Sequence, residues 1–101
     1  MYGTVYRIRV RPGQEQALLE LNRRWARDHS PRTAGYLGEY IYKLDRHPGE
    51  YVGVALFESR EAYQQNADDP EQDRWYREFR DLLESDPEWN DGEIIYEHRA
   101  R

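Results

Sequence analysis

Residues 50–83, EYVGVALFESREAYQQNADDPEQDRWYREFRDLL, contain the most apolar strand of the chain and its clearest helix starts. One side of the extended part carries Val52, Val54 and Leu56. The other side carries four small or aromatic residues, Tyr51, Gly53, Ala55 and Phe57. Both faces are apolar, which is typical of a central strand covered on both sides. A chain of 101 residues has helix enough for only one face, so the other face needs a separate cover.

Two helix starts follow this strand. Ser59 is a good N-cap residue, and Glu61 places a carboxylate in the first turn, where it suits the helix dipole. This helix should end near residues 66–68, because Asp69 and Pro70 are typical of a second N-cap and first helical position. The second helix has a buried stripe at helical spacing, formed by Trp75, Tyr76, Phe79, Leu82 and Leu83.

The remaining predicted elements are a strand over Tyr2–Arg11, a helix over Gln14–His29 and a strand over Tyr36–Leu44. Residues 45–49 form a turn that joins the last of these to the Glu50 strand as a hairpin. Pro87 ends the final helix, residues 87–92 form a loop, and Glu93–His98 is the final strand. The order βαββαβ predicts an α+β, ferredoxin-like fold: a four-stranded antiparallel sheet, in spatial order 4-1-3-2, with helices on one face.

Length, charge and composition exclude several kinds of partner and chemistry. A single domain over residues 1–101 is expected, and it buries about two-thirds of its unfolded surface. The net charge of -5 argues against nucleic acid or an anionic membrane as the main partner, and the absence of cysteine excludes disulfides and thiolate chemistry. Because the first residues lead directly into a strand, and Tyr51–Phe57 is too short to cross a bilayer, we expect a soluble cytoplasmic protein.

The helix-free face of the predicted sheet carries Val52, Val54 and Leu56. This patch is too apolar to leave in water. We therefore expect a homodimer in which two sheets face each other, with these three residues in the interface.

Three segments resemble the antibiotic biosynthesis monooxygenase family of dimeric α+β barrel proteins. They are Arg11–Glu15 after the first strand, Phe57–Tyr63 at the strand-to-helix junction, and Asp69–Pro70 at the start of the last helix. The resemblance covers nearly the whole chain. It implies a dimer with a pocket in each subunit between sheet and helices. In some members it also implies oxidation of electron-rich aromatic compounds by O2 without a cofactor.

Haem-degrading relatives use an Asn on the first strand, a Trp on the helix after the third strand and a His on the last helix. The corresponding residues here are Tyr6, Asn66 and Tyr76. None of the three is retained, so the resemblance does not extend to haem degradation.

Polyketide-oxidising relatives use an Asn and a Trp on the third strand and a Tyr on the following helix. The corresponding residues here are Gly53, Phe57 and Tyr63, and only the Tyr is retained. The candidate catalytic residues are therefore few: Tyr63, Asn66, Tyr76 and His98. His98 is a candidate general base because it shares a predicted strand face with Ile94 and Tyr96, and the alternative is a capping or edge role.

Gly53 and Ala55 lie side by side on the predicted central strand, between the rings of Tyr51 and Phe57. Such small residues either let a helix approach the sheet closely or leave a cavity for a flat aromatic ligand. The residues expected to line this cavity are Tyr6, Tyr40, Gly53, Ala55, Phe57, Tyr63, Trp75, Tyr76 and Phe79. On the cavity interpretation, Gly53→Leu fills empty space and leaves stability level or higher.

Two classes of function remain open. The chain is either a cofactor-free monooxygenase acting on a quinol-like or anthrone-like compound, or a dimeric protein that binds a small aromatic ligand or a partner without turnover. No pair of His or carboxylate residues has metal-ligand spacing on one face, and no glycine-rich phosphate loop is present, so neither a metal nor a cofactor is predicted.

Overall fold

The computed structural model describes residues 1–100. They form β1 (Tyr2–Arg9), α1 (Glu15–Asp28), β2 (Tyr36–Lys43), β3 (Glu50–Phe57), α2 (Arg60–Asp68), α3 (Pro70–Asp81) and β4 (Glu88–Glu93). A 3-10 helix, Ser30–Arg32, follows α1. The sheet is antiparallel with strand order β2-β3-β1-β4, which confirms the predicted ferredoxin-like fold. None of the described helices is long and apolar enough to cross a membrane.

The core lies between the sheet and the helices. Alternation along β1 turns Tyr6 and Ile8 towards the helices, while Arg7 and Arg9 face the other side and stay exposed. The core contains buried residues from β1, α1, β3 and α3 and from the segments beside them: Tyr6, Ile8, Val10, Leu18, Leu21, Tyr51, Phe79 and Leu83. Burial of these apolar surfaces holds α1 and α3 on the same face of the sheet.

Both helix starts after β3 are confirmed. The Ser59 side chain accepts a hydrogen bond from the backbone N–H of Ala62, and the Asp69 side chain accepts one from Glu71 at 2.9 Å. The second helix ends earlier than predicted, at Asp81. Backbone hydrogen bonds join Leu82 to Arg11 and Glu84 to Arg9. The chain therefore leaves the helix before it reaches Pro87 and runs beside the end of β1.

The position of the last strand was predicted wrongly. The strand is Glu88–Glu93, and residues 94–100 have no regular structure. In the register with β1, Glu93 pairs with Tyr2, and the Ile94 N–H donates to the Met1 carbonyl at 2.9 Å. The residues after Ile94 run past the start of the chain and have no β1 backbone to pair with. The polar sequence EWNDGE has low strand propensity. It forms a strand nevertheless, because its backbone hydrogen-bonds to the otherwise free edge of β1.

Gly53 does not border a void. Its partner across the sheet is Tyr6, and the Tyr6 ring lies over the glycine, so a Cβ added at Gly53 would overlap Tyr6 Cζ. The helices do not make this close contact, so both interpretations of Gly53 from the sequence are wrong. The glycine makes room for a ring from the neighbouring strand.

Gly53→Ala should lower the free energy of unfolding by about 1–3 kcal/mol, because the added methyl group overpacks a buried ring. Tyr6 is only 2% exposed and its hydroxyl is held by Glu39, so it cannot move aside freely. Gly92→Ala on β4 is the matched control, since no atom lies within 4 Å of its added Cβ. Urea denaturation measures both variants, and equal stability of the two would show that the space above Gly53 is empty.

Candidate functional site

A cavity of about 420 Å³ lies between the helix-covered face of the sheet and the helices. All four strands and all three α-helices contribute to its lining. Its walls hold nine aromatic side chains: Tyr6, Trp25, Tyr36, Phe57, Tyr63, Trp75, Tyr76, Phe79 and Trp89. A cavity of this size and composition suits a flat, largely apolar molecule.

The aromatic walls are held by ring-to-ring contacts. Trp75 stacks on Phe79 with centroids 5.0 Å apart and planes 13° apart, and the Tyr6 ring meets Phe79 edge-on at 6.2 Å. On the other side of Tyr6, the Trp89 ring lies 5.0 Å away. Such contacts restrict the rings to defined orientations, so the cavity has a largely preformed shape.

The structure brings most of the predicted pocket residues together. Seven of them line the cavity: Tyr6, Ala55, Phe57, Tyr63, Trp75, Tyr76 and Phe79. Gly53 does not, because the Tyr6 ring covers it.

Tyr40 was placed on the wrong face of the sheet. It lies directly opposite Val54, and directly opposed residues share a face, so Tyr40 points away from the helices and is 66% exposed. An irregularity in the β2–β3 register between Tyr36 and Gly38 shifts the alternation by one residue. Tyr36 therefore joins Glu39 on the cavity side, although the uninterrupted pattern groups it with Tyr40.

Of the four candidate catalytic residues, three lie in the cavity and one does not. Tyr63, Asn66 and Tyr76 line the cavity, whereas His98 lies exposed in the segment after β4 and takes no part in it. His98 was expected on a strand face, but the strand ends at Glu93. Among the described residues, no group of three or more His, Cys, Asp or Glu could hold a metal ion.

Several lining residues were not predicted from the sequence, among them Trp25, Tyr36, Trp89 and the buried carboxylate of Glu39. Glu39 is the one that changes the chemistry of the cavity. Its Oε2 accepts a hydrogen bond of 2.5 Å from the Tyr6 hydroxyl, and burial raises the pKa of the carboxyl although this hydrogen bond lowers it in part. No Lys, Arg or His is present among the described lining residues, so no cation there offsets the charge. The sequence contained one signal for the position of Glu39. Glu39 and Ile41 are two residues apart on β2, so the carboxylate shares a face of the sheet with an apolar side chain.

Two buried polar atoms of the described chain have no hydrogen-bond partner: Thr4 Oγ1 and Asn66 Oδ1. Both residues line this cavity. A buried polar atom without a partner costs free energy, and native proteins leave few of them. A molecule or water bound in the cavity would be in position to supply the missing hydrogen bonds.

Tyr36 and Tyr63 are two cavity residues whose hydroxyls are weaker acids than usual. Burial, together with the Asp91 carboxylate that accepts its hydrogen bond at 2.9 Å, raises the pKa of Tyr63 above its usual range. Burial and the nearby Glu39 raise the pKa of Tyr36 to about 12. These hydroxyls remain protonated near neutral pH, so they donate hydrogen bonds and do not serve as bases.

Glu39→Gln should stabilise the protein at mildly alkaline pH. The pKa of Glu39 is raised in the folded state above its ordinary value of 4.5, so folding stability falls as pH rises between these two values. Glutamine carries no charge and still accepts the Tyr6 hydrogen bond. The melting temperature of the variant should therefore exceed that of the wild type above the raised pKa and match it below pH 4.5. A gain that is independent of pH would contradict this account.

Comparisons with known proteins agree with this architecture. A model of the family described as antibiotic biosynthesis monooxygenase matches residues 1–84. Comparison with curated protein sequences gave no match. A candidate antibiotic biosynthesis monooxygenase from Caulobacter crescentus superposes with a TM-score of 0.81 at 14% identity, covering 94% of this chain and 90% of the other.

Two further solved structures are similar over almost their whole length. A candidate antibiotic biosynthesis monooxygenase from Nitrosomonas europaea has a TM-score of 0.76 and 18% identity, and the match covers 95% of this chain and 100% of the other. A variant of SnoaB, a cofactor-independent oxygenase from Streptomyces nogalater, has a TM-score of 0.73 and 16% identity, with 95% and 94% covered. At these identities the structures support the fold alone, and it is the match of the family model over most of the chain that shows that this protein belongs to the antibiotic biosynthesis monooxygenase family.

Proposed function

We propose that the cavity binds a flat, hydroxylated or keto aromatic compound, such as a hydroquinone, a naphthol or an anthrone, and that O2 oxidises it there without a cofactor. The observation that carries this proposal is the combination of nine aromatic side chains with the two unpartnered polar atoms Thr4 Oγ1 and Asn66 Oδ1. The rings fit the face of an aromatic compound, and the polar atoms fit its oxygen substituents.

The reaction needs no external reductant. For an anthrone, the methylene group becomes a carbonyl: one oxygen atom of O2 enters the product, the other leaves as water with the two methylene hydrogens, and the substrate supplies all the electrons. What the protein supplies is a site that orients the substrate, favours loss of its proton and limits access of water. Membership of this family and the similarity to SnoaB, a cofactor-independent oxygenase, support this reaction class.

A non-catalytic binding protein is the second candidate, and one observation favours it. Of the three residues that the chain shares by position with polyketide-oxidising relatives, only Tyr63 is of the same type, and its hydroxyl already donates to Asp91. A protein with the same cavity and no turnover would hold the aromatic compound for transport or sensing.

Replacing Asn66 tests the polar part of the cavity. Asn66→Leu should weaken binding of 2-naphthol by roughly 3- to 10-fold, the equivalent of one hydrogen bond, and leave binding of naphthalene unchanged. Tryptophan fluorescence follows both titrations, because Trp75 and Trp89 line the cavity. Gln65→Leu, at the exposed neighbouring position on α2, is the matched control.

An oxygen electrode then separates the two candidate functions. Binding with O2 uptake on addition of hydroquinones, naphthols or anthrones supports the oxygenase. Binding of the same compounds without uptake supports the binding protein. A wild type that binds none of them contradicts the proposed function.

We propose in addition that the protein is a homodimer formed through the helix-free face of the sheet. Val52, Val54 and Leu56 are only partly buried there, and three large side chains beside them are exposed: Val5 at 46%, Tyr40 at 66% and Tyr42 at 52%. Nothing in the described chain covers this face. A second copy with its sheet in the same position would bury these residues against each other.

Val54→Glu should convert the dimer to a monomer. Val54 lies between Val5 and Tyr40 in the strand register, so an uncompensated carboxylate there would cost several kcal/mol in the interface. Light scattering at micromolar concentration measures the mass, with Gln65→Glu on the outer surface of α2 as a control of equal charge change. A monomeric wild type, or a Val54→Glu protein that still dimerises, would rule out this interface.

A further inference from the structure

We infer that Glu39 is the catalytic base, the group that accepts the proton a bound aromatic compound must lose before it reacts with O2; this inference rests on the proposed function. The inference follows from where the carboxylate lies, from how it is held, and from the state of the other ionisable groups of the cavity.

The carboxylate is held with one oxygen available. Tyr6 donates its hydroxyl to Oε2, and no other hydrogen bond or ion pair reaches Glu39 from the described residues. Tyr6 itself is fixed, because its ring lies over Gly53 and contacts Phe79 and Trp89. The second oxygen, Oε1, is therefore left for a molecule in the cavity, and the Tyr6 hydrogen bond keeps the carboxylate in one orientation.

The other ionisable groups that face the cavity are less suited to accept a proton. They are the hydroxyls of Tyr6, Tyr36, Tyr63 and Tyr76 and the carboxylates of Asp73 and Asp91. Burial, together with Glu39, raises the pKa of Tyr6 and Tyr36, and burial with Asp91 raises that of Tyr63, so these three remain protonated. Both aspartates are exposed; Asp91 accepts the Tyr63 hydroxyl, and Asp73 forms an ion pair with Arg77 at 2.7 Å.

Burial makes Glu39 a stronger base than a surface carboxylate. Its raised pKa lies nearer to that of a phenol or an activated methylene group, which makes proton transfer to it less unfavourable. The environment also selects the charge of the ligand. Because the described lining residues include the carboxylates of Glu39, Asp73 and Asp91 and no cation, the cavity favours a neutral compound over an anionic one.

The proton transfer conserves charge inside the cavity. In an anthrone, a methylene C–H bond breaks, its electron pair delocalises onto the ketone oxygen, and the proton forms an O–H bond with Glu39 Oε1. In a phenol, the O–H bond breaks instead and the electron pair stays on the oxygen. The negative charge moves from the carboxylate to the substrate, so the net charge of the cavity is the same before and after the step. The resulting electron-rich anion then gives electrons to O2.

Hydrogen exchange tests this step without O2. Under anaerobic conditions in D2O, the wild type should accelerate exchange of the methylene hydrogens of anthrone, followed by proton NMR. Glu39→Gln keeps the shape of the side chain and the acceptor for Tyr6, and should lower the acceleration by about 10²- to 10⁴-fold with little change in the dissociation constant. Glu84→Gln, an exposed carboxylate outside the cavity lining, should behave as the wild type.

The pH dependence gives a readout that a purely structural role would not change. Exchange catalysed by the wild type should rise with pH as Glu39 ionises. Because the Tyr6 hydrogen bond lowers the pKa of Glu39, Tyr6→Phe should move this rise to higher pH, and Glu39→Gln should lack it. Thermal unfolding of each variant verifies that it is folded.

The outcomes distinguish this inference from the proposed function. Anthrone binding without any acceleration of exchange by the wild type, or equal acceleration by Glu39→Gln, would overturn the role of Glu39 and leave ligand binding intact. A pH profile unchanged by Tyr6→Phe would also overturn it. A wild type that does not bind anthrone or any other compound of the panel would instead overturn the proposed function itself.

Discussion

The position of the Tyr6 ring across the sheet is the constraint on which the rest of the site depends. Tyr6 belongs to β1, but its ring lies over Gly53 of β3 and its hydroxyl reaches Glu39 of β2. A side chain at Gly53 would block this path, because even a Cβ would overlap the ring. One glycine therefore allows one tyrosine to connect three adjacent strands, and the connection places a carboxylate inside an apolar cavity.

This arrangement lowers the stability of the folded protein, because it leaves unfavourable groups inside the cavity. A carboxylate without a cation and two polar atoms without partners are each unfavourable in a folded protein. All three lie in the same cavity, whereas the rest of the core is formed by apolar side chains and the charged residues outside it pair on the surface. Unfavourable buried polar groups that cluster in one place are characteristic of functional sites.

The two faces of the sheet have different roles in this fold. The helix-covered face holds the core and the cavity, and the helix-free face presents Val52, Val54, Leu56 and the exposed tyrosines of β2. The split arises from strand alternation in β3, which has apolar residues on both sides. Association through the helix-free face would leave the cavities of both copies accessible, since they lie on the opposite side of each sheet.

Local patterns in the sequence were sufficient for the order of elements, the N-caps at Ser59 and Asp69, the central position of β3 and most of the aromatic residues of the cavity. These features depend on residues close together in the chain, through periodicity, capping and turn chemistry. The tertiary structure decided what depends on pairing between distant residues. The β1 edge made a strand of the polar residues 88–93. The β2–β3 register placed Glu39 in the cavity and Tyr40 outside it, and the irregularity near Gly38 turned Tyr36 into the cavity. The ring of Tyr6, the cross-strand partner of Gly53, filled the space that the sequence left to either a helix or a cavity. Register and cross-strand packing are set by hydrogen bonds and contacts between strands, and no local pattern in one strand specifies which ring will lie over its neighbour.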